Sequence, residues 1–295
     1  MQAKPVVVVV GAAAMGSIGH ATALQAARDG FDVALADIER PAASIADVEL
    51  EAGWQGLVSV AAQVEQVGAR ALRLSCNVTR REEIQEMVRA AEAFGPIAGL
   101  VNTTRAPITS ARPILEEDDD DWALSFDVNV RGALWCARAV ARSMLARGEG
   151  GAIVHVSSVA GLHPVHGRGA YCASKAALHM VTRCLALDLA GAGIRVNAVL
   201  PGVVATHRLD PDEREQARTQ GIALAEQRQR ILQAQGRLIP MGRAGHPEEV
   251  AATIGFLLSP ASTYITGELI SVSGGAFAPY GSLAPVQAAR AAMKA

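Results

Sequence analysis

The sequence predicts an α/β fold: one doubly wound parallel sheet of about seven strands with helices on both faces. Three observations predict it. Short β-branched runs alternate with longer amphipathic stretches, the pattern of βαβ units whose right-handed crossovers return each strand parallel to the last. The strand candidates are almost wholly apolar rather than alternating, as strands covered on both faces are. Apolar residues make up 50% of the chain against 19% charged, enough to bury such a sheet and too hydrophobic for disorder.

Each element follows in order. Val6–Val10 is five valines, branched side chains suited to a buried pleat. A glycine-rich turn leads into a helix over Ser17–Asp29, and Asp32–Ala36 is the second strand. Strand Ala71–Ser75 is followed by helix Arg81–Ala93, strand Gly99–Asn102 and a long helical pattern over Asp120–Arg147. Strand Ala152–Ser157, helix Ala170–Ala190, strand Arg195–Leu200, helix Pro247–Leu258 and strand Leu269–Val272 complete the set. Three connections exceed what the sheet needs. Residues 40–67 form an insert with Trp54 and a weak helical pattern. Residues 207–237, rich in Arg, Glu and Gln, read as a lid of one or two mobile helices. Residues 279–295 form a tail beyond a domain spanning 1–278. Long connections on a compact scaffold are where binding loops and lids sit, although surface decoration is an equal reading for the tail.

Composition excludes several classes of function. The net charge of −2, without a Lys/Arg-dense block, offers no footprint for nucleic acid or an anionic membrane. The longest aliphatic run is five residues, and no stretch reads as a signal peptide. Cys76, Cys136, Cys172 and Cys184 lack metal-ligand spacing and read as reduced, mostly buried thiols. The expectation is a cytoplasmic globular protein with no metal site.

Straight after the first strand comes Gly11-Ala12-Ala13-Ala14-Met15-Gly16-Ser17-Ile18-Gly19, opening a helix. Small residues let main chain approach a pyrophosphate, and the unpaired N–H groups of the helix start face its charge. This strand–turn–helix order points to a Rossmann-type dinucleotide site. The second strand ends at Asp37-Ile38. A carboxylate there can accept hydrogen bonds from adenosine ribose hydroxyls and repels a 2′-phosphate. No cation lies in the turn, so NAD is the expected cofactor and NADP the less favoured one.

The chain holds three lysines, and Lys175 is the one away from the termini, four residues after Tyr171. On a helix i and i+4 share a face, which places ammonium and phenol in one space. A nearby ammonium favours phenolate, drawing a tyrosine toward acid/base work near neutral pH.

Gly11 through Gly19, Asp37, Asn129, Ser158, Tyr171-Cys172-Ala173-Ser174-Lys175 and Pro201 through Thr206 together resemble the short-chain dehydrogenase/reductase family. Residues 242–250 and 265–275 resemble it as well, so the likeness spans about residues 5–277. The resemblance implies Tyr171 as the acid/base toward the substrate oxygen and Ser158 as a hydrogen-bond donor to that oxygen. Lys175 would lower the tyrosine pKa and bind the nicotinamide ribose, and Asn129 would hold a water leading from Lys175. It further implies cofactor contacts from Gly11, Gly16, Ser17, Ile18, Gly19, Asp37, Ile38, Asn77, Val78, Asn102, Thr103, Tyr171, Lys175, Pro201, Gly202, Val203 and Thr206. A homotetramer or homodimer is the family habit, with the helices near Asp120 and Ala170 at the interface.

The chain departs from the family in two places. Its glycine turn is two residues longer, with Ser17 in place of a glycine. Asn102-Thr103-Thr104-Arg105 stands where Asn-Asn-Ala-Gly is usual. Arg105, His163, Arg168, His207 and Arg208 flank the substrate position, and aromatic residues are 4% of the chain. A small polar substrate follows: a polyol, sugar or hydroxy acid, with an anion within range. Two rival readings remain open, a non-catalytic NAD-binding or sensing protein and a lyase or dehalogenase that transfers no hydride.

Overall fold

The computed structural model describes residues 4–39, 47–107, 111–207 and 211–276. Arg208 and the tail over 279–295 lie outside the described residues, as does part of the insert. One sheet of seven parallel strands is built from β1 (Val6–Val10), β2 (Asp32–Asp37), β3 (Ala71–Ser75), β4 (Ile97–Asn102), β5 (Gly151–Val156), β6 (Ile194–Pro201) and β7 (Leu269–Val272). Their order is β3-β2-β1-β4-β5-β6-β7. Winding therefore reverses between β1 and β4, and such a reversal opens a crevice at the carboxyl edge where α/β sheets bind ligands.

The valines of β1 are fully buried and split by parity between two cores. Val6, Val8 and Val10 face α4 (Arg81–Phe94), α6 (Ala133–Arg147) and α7 (Gly169–Leu189). Val7 and Val9 face α1 (Ile18–Arg28), α3 (Leu57–Gln66) and α10 (Pro247–Leu258). This is the period-two consequence of a strand covered on both sides. Side chains fix the helix starts: Ser17 Oγ accepts from His20 N at 3.1 Å ahead of α1, and Glu249 Oε2 accepts from His246 N at 2.7 Å ahead of α10.

Three sequence expectations are corrected. The helical pattern over Asp120–Arg147 is α5 (Asp119–Phe126), a π-helical segment over Asp127–Gly132, and then α6. Widened turns of this kind occur frequently at functional sites, and this one contains Asn129. The insert carries two helices, α2 (Asp47–Glu51) and α3, rather than one. The segment after β6 carries α8 (Pro211–Gln220) and α9 (Leu224–Gly236), within the one or two helices expected there. Only Cys76 and Cys136 of the four free thiols are buried, and Cys184 is exposed. Burial pushes the Cys76 thiol up to about 12, with the nearby charges of Glu83 and Asp37 adding to it. Among the described residues no helix is long and apolar enough to cross a membrane.

Candidate active site

All seven strands end on one edge, so parallel topology alone gathers the glycine turn, Asp37, Asn102–Arg105, Ser158 and Pro201–Thr206 there. α7 brings Tyr171 and Lys175 to the same edge. Glu117 is the carboxylate that starts this helix: Oε1 accepts from Gly169 N at 2.5 Å and Oε2 from Ala170 N at 2.9 Å. A carboxylate on the first turn satisfies orphan N–H groups and the positive end of the dipole. Glu117 belongs to an acidic run over 116–121 that leads into α5. Asp118 does cap α5, accepting from Asp120 N at 3.0 Å, whereas Glu117 turns to α7, 52 residues on.

Lys175 is 2% exposed, and its Nζ donates to Val156 O at 3.0 Å. Nζ lies 5.9 Å from the centroid of the Tyr171 ring. Burial, followed by the charge of Arg105, lowers the Lys175 ammonium to about 7, so the amine can hold or release a proton at neutral pH. Arg105 thus acts electrostatically on Lys175 from the position where the resembled family has glycine.

Ser158 sits just past β5, and its Oγ accepts from Ala160 N at 3.1 Å. One acceptor site is thereby occupied and the hydroxyl proton is left to donate outward. The short turn after it presses on α7: a Cβ at Gly161 would stand 2.8 Å from Ala176 N. Only glycine allows that approach, which fixes Ser158 in register with Lys175. His179, one turn further along α7, bonds the Ser158 backbone, and burial followed by the charge of Lys175 lowers it to about 4.

Asn129 is buried at the π segment. Its Oδ1 accepts from Ala106 N at 2.9 Å and its Nδ2 donates to Ser174 Oγ at 3.0 Å. Ser174 Oγ donates in turn to Tyr171 O at 2.8 Å. Asn129 therefore ties the chain after β4 to the helix bearing Tyr171 and Lys175.

At the other end of the edge, Gly19 admits no side chain because Gly11 O and Thr103 Oγ1 occupy the space of its Cβ. Main chain here is as close as a phosphate cradle requires. Asp37 Oδ2 accepts from Ala13 N at 2.8 Å and Oδ1 from Ile38 N at 2.8 Å, which fixes the carboxylate at the end of β2 beside the glycine turn. These residues fit a dinucleotide: backbone at the helix start for the pyrophosphate and a carboxylate at the strand end for the ribose.

Several expected residues lie elsewhere. Asn102 is buried, its Nδ2 donating to Ala133 O at 3.3 Å and lying 3.2 Å from His155 Nδ1. Its side chain thus bonds inside the fold, beside its strand partner His155. Val78 is buried in the core against Gly132. Asn77 Oδ1 closes a local turn, accepting from Thr79 N at 3.0 Å. Thr103 Oγ1 braces the glycine turn, 2.8 Å from Val10 O. His207, expected at the substrate, instead lies against Gly16, whose Cβ would stand 2.8 Å from the imidazole Cδ2. His163 is on an exposed stretch, and Arg168 precedes α7. Sequence reasoning missed Arg228 of α9, which donates to Thr206 O at 2.8 Å and Val204 O at 3.1 Å. No local motif marks it, since its partners lie more than twenty residues back.

The arrangement can bind a dinucleotide along the edge and exchange a proton with a substrate oxygen held between Ser158 and Tyr171. Comparison with known proteins agrees with this class of chemistry. A family model described as enoyl-(acyl carrier protein) reductase matches residues 11–276. The chain is 38% identical over 214 residues to galactitol 2-dehydrogenase (L-tagatose-forming) of Cereibacter sphaeroides, covering 72% of this chain and 78% of that one. It is 34% identical over 266 residues to a 3-oxoacyl-(acyl-carrier-protein) reductase of Thermotoga maritima, covering 89% and 94%. The crystal structure of acetoin dehydrogenase from Enterobacter cloacae superposes with a TM-score of 0.74 at 28% identity, over 95% of this chain and 99% of that one. The protein belongs to the short-chain dehydrogenase/reductase family, oxidoreductases that use a nicotinamide cofactor.

Proposed function

We propose that the protein is an NAD-dependent dehydrogenase interconverting a secondary alcohol and a carbonyl on a small polar substrate such as a polyol, sugar or hydroxy acid. The observation that carries this is the buried Lys175 amine beside Tyr171, on a helix registered against Ser158 at the same edge as Asp37 and the glycine turn. The nicotinamide, when bound, supplies the hydride acceptor or donor. Toward oxidation, the Tyr171 phenolate accepts the proton of the substrate hydroxyl. Ser158 Oγ–H donates to the same oxygen and holds it as its charge changes. Lys175, near 7, stabilises the phenolate and is placed to pass a proton onward. Asn129 and Ser174 position the helix, and Asp37 holds the adenosine ribose. Arg105 and Arg168, with His163 on the loop before α7, are the residues assigned to the substrate. Pro201, Gly202, Val203 and Thr206 orient the nicotinamide.

The NAD reading is supported by a carboxylate at the ribose position and by the absence of a cation within the turn. The polar-substrate reading is supported by the names of two relatives, one a galactitol and one an acetoin dehydrogenase. An assembly of two or four copies is supported by apolar side chains left open on α7, Met180 at 57% and Leu187 at 82% exposure. Free thiols fit a reducing, cytoplasmic setting.

The test is absorbance in the NADH band with NAD or NADP and a panel of galactitol, sorbitol, acetoin and a 3-oxoacyl thioester. Turnover of small hydroxylated substrates with NAD is expected. Faster turnover of the thioester overturns the substrate assignment, and no turnover with any member favours a non-catalytic binding protein.

A further inference from the structure

We propose that Arg228 of α9 pins a strap, residues 203–207, which closes one side of the cofactor crevice and sets how fast the dinucleotide leaves. The proposal rests on the dinucleotide reading above. In the sheet β6 stands three places from β1, about 14 Å at the usual strand spacing. Yet His207, six residues beyond the end of β6, lies on the glycine turn that follows β1. A Cβ at Gly16 would stand 2.8 Å from the imidazole Cδ2 and 2.9 Å from Nε2. Six residues span at most about 20 Å, so the strap runs with little slack from β6 to the turn. It passes the carboxyl ends of β4 and β5, beyond which Thr103 and Ser158 sit. A dinucleotide lying along that edge is flanked by the strap, and leaving on that side requires the contact at Gly16 to open.

Two sets of bonds fix the path of the strap. On one side it pairs with the chain before α10: Gly245 N donates to Val203 O at 2.9 Å, and Ala205 N donates to Gly245 O at 2.8 Å. The alternate carbonyls go to α9, where Arg228 Nη2 donates to Val204 O at 3.1 Å and Nε to Thr206 O at 2.8 Å. Thr206 N also donates to Val204 O at 2.9 Å, closing a tight three-residue turn whose two ends the guanidinium spans. Nε–H and Nη2–H form a rigid fork along one edge of that group, so one side chain fixes two carbonyls at once. Gln227, the residue before it, is 5% exposed and its Nε2 donates to Gln216 Oε1 of α8 at 3.2 Å, so the fork springs from a packed turn of α9.

The experiment is stopped-flow displacement of NADH, followed by its fluorescence and without substrate, from wild type, Arg228→Lys and His207→Ala. Lysine keeps the charge, and with it any ion pair Arg228 makes, and gives up the fork. The NADH dissociation rate is expected to rise about tenfold in Arg228→Lys and about threefold in His207→Ala. A folded Arg228→Lys whose dissociation rate matches wild type overturns the proposal and leaves Arg228 a brace for α9, which a lowered melting temperature alone would register. Should that variant fail to fold, His207→Ala, a change at an exposed side chain, is read for the same rate, and no rise there overturns the proposal equally. A wild type that binds neither NADH nor NADPH overturns the dinucleotide reading itself, before any variant is compared. Where NADPH binds the tighter, the same rates are read with it.

Discussion

The two ends of the carboxyl edge are held in different ways. At the catalytic end, positioning is internal to the sheet and its own helices: Glu117 starts α7, Ser174 couples Tyr171 to Asn129, and Gly161 sets Ser158 against Lys175. At the cofactor end, the turn is braced by Glu49 and Trp54, which belong to an insert the sheet does not need. The first arrangement tolerates little change without loss of chemistry. The second can change cofactor affinity and choice while the chemical step stays the same. Kinetics can separate them, because catalytic-end variants should move kcat and cofactor-end variants should move binding.

The largest effect belongs to the catalytic end. Tyr171→Phe removes the proton donor while keeping the ring, and kcat should fall by roughly 10²- to 10⁴-fold with cofactor affinity little changed. A variant retaining most of the wild-type rate breaks the contrast, since the edge would then have no acid/base at that place.

Acid sensitivity comes next and also sits under the catalytic end. Burial, followed by the charge of Lys175, lowers His155 from 6.5 to about 4, and His179 behaves alike. Between those values the unfolded chain binds protons that the fold refuses, so stability falls as pH drops from 6.5 toward 4. Each imidazole contributes about 1.4 kcal/mol per pH unit in that window. Urea unfolding at intervals from pH 7 to 4.5 should show the slope, and His155→Gln should remove about half of it. A curve as steep in the variant would assign the acid loss to other groups.

Glu117→Gln should cost about 1–2 kcal/mol of stability, because a charge-assisted pair of backbone hydrogen bonds at a helix start becomes a neutral one. The kcat should fall several-fold as the first turn of α7, which carries Tyr171, loosens. Equal kcat at unchanged pH optimum would show that Glu117 serves the fold and not the chemistry.

The catalytic end was far more legible in the sequence than the cofactor end. All seven strands are bounded within two residues, and β1, β3, β7 and α10 to the residue, because apolar runs and crossovers leave a strong pattern. Tyr171 and Lys175 could be paired since helical spacing makes them neighbours. The π segment was hidden because its letters continue a helical pattern, while the partners of Asn129 within it come from distant elements. Glu117 and Arg228 were hidden for the same reason: each serves an element more than twenty residues away. The partnership of Asn102 with His155 was hidden because it comes from the adjacent strand, which periodicity does not name. The insert showed only as excess length; that it folds back onto the glycine turn follows from Glu49 and Trp54 finding main-chain partners there.

Trp54→Phe isolates the cofactor end with the smallest expected change. It keeps an aromatic ring for His20 and the apolar contacts of the insert, and deletes one neutral hydrogen bond to Ala13 O. Such a bond is worth about 1 kcal/mol net, equivalent to about a fivefold weaker cofactor Kd. At saturating cofactor kcat should match wild type, because Ser158, Tyr171 and Lys175 are fixed by contacts that do not pass through Trp54. A fall in kcat with Kd unchanged would mean that the turn positions the nicotinamide rather than merely gripping the adenosine, and the division between the two ends would have to be redrawn along the length of the cofactor.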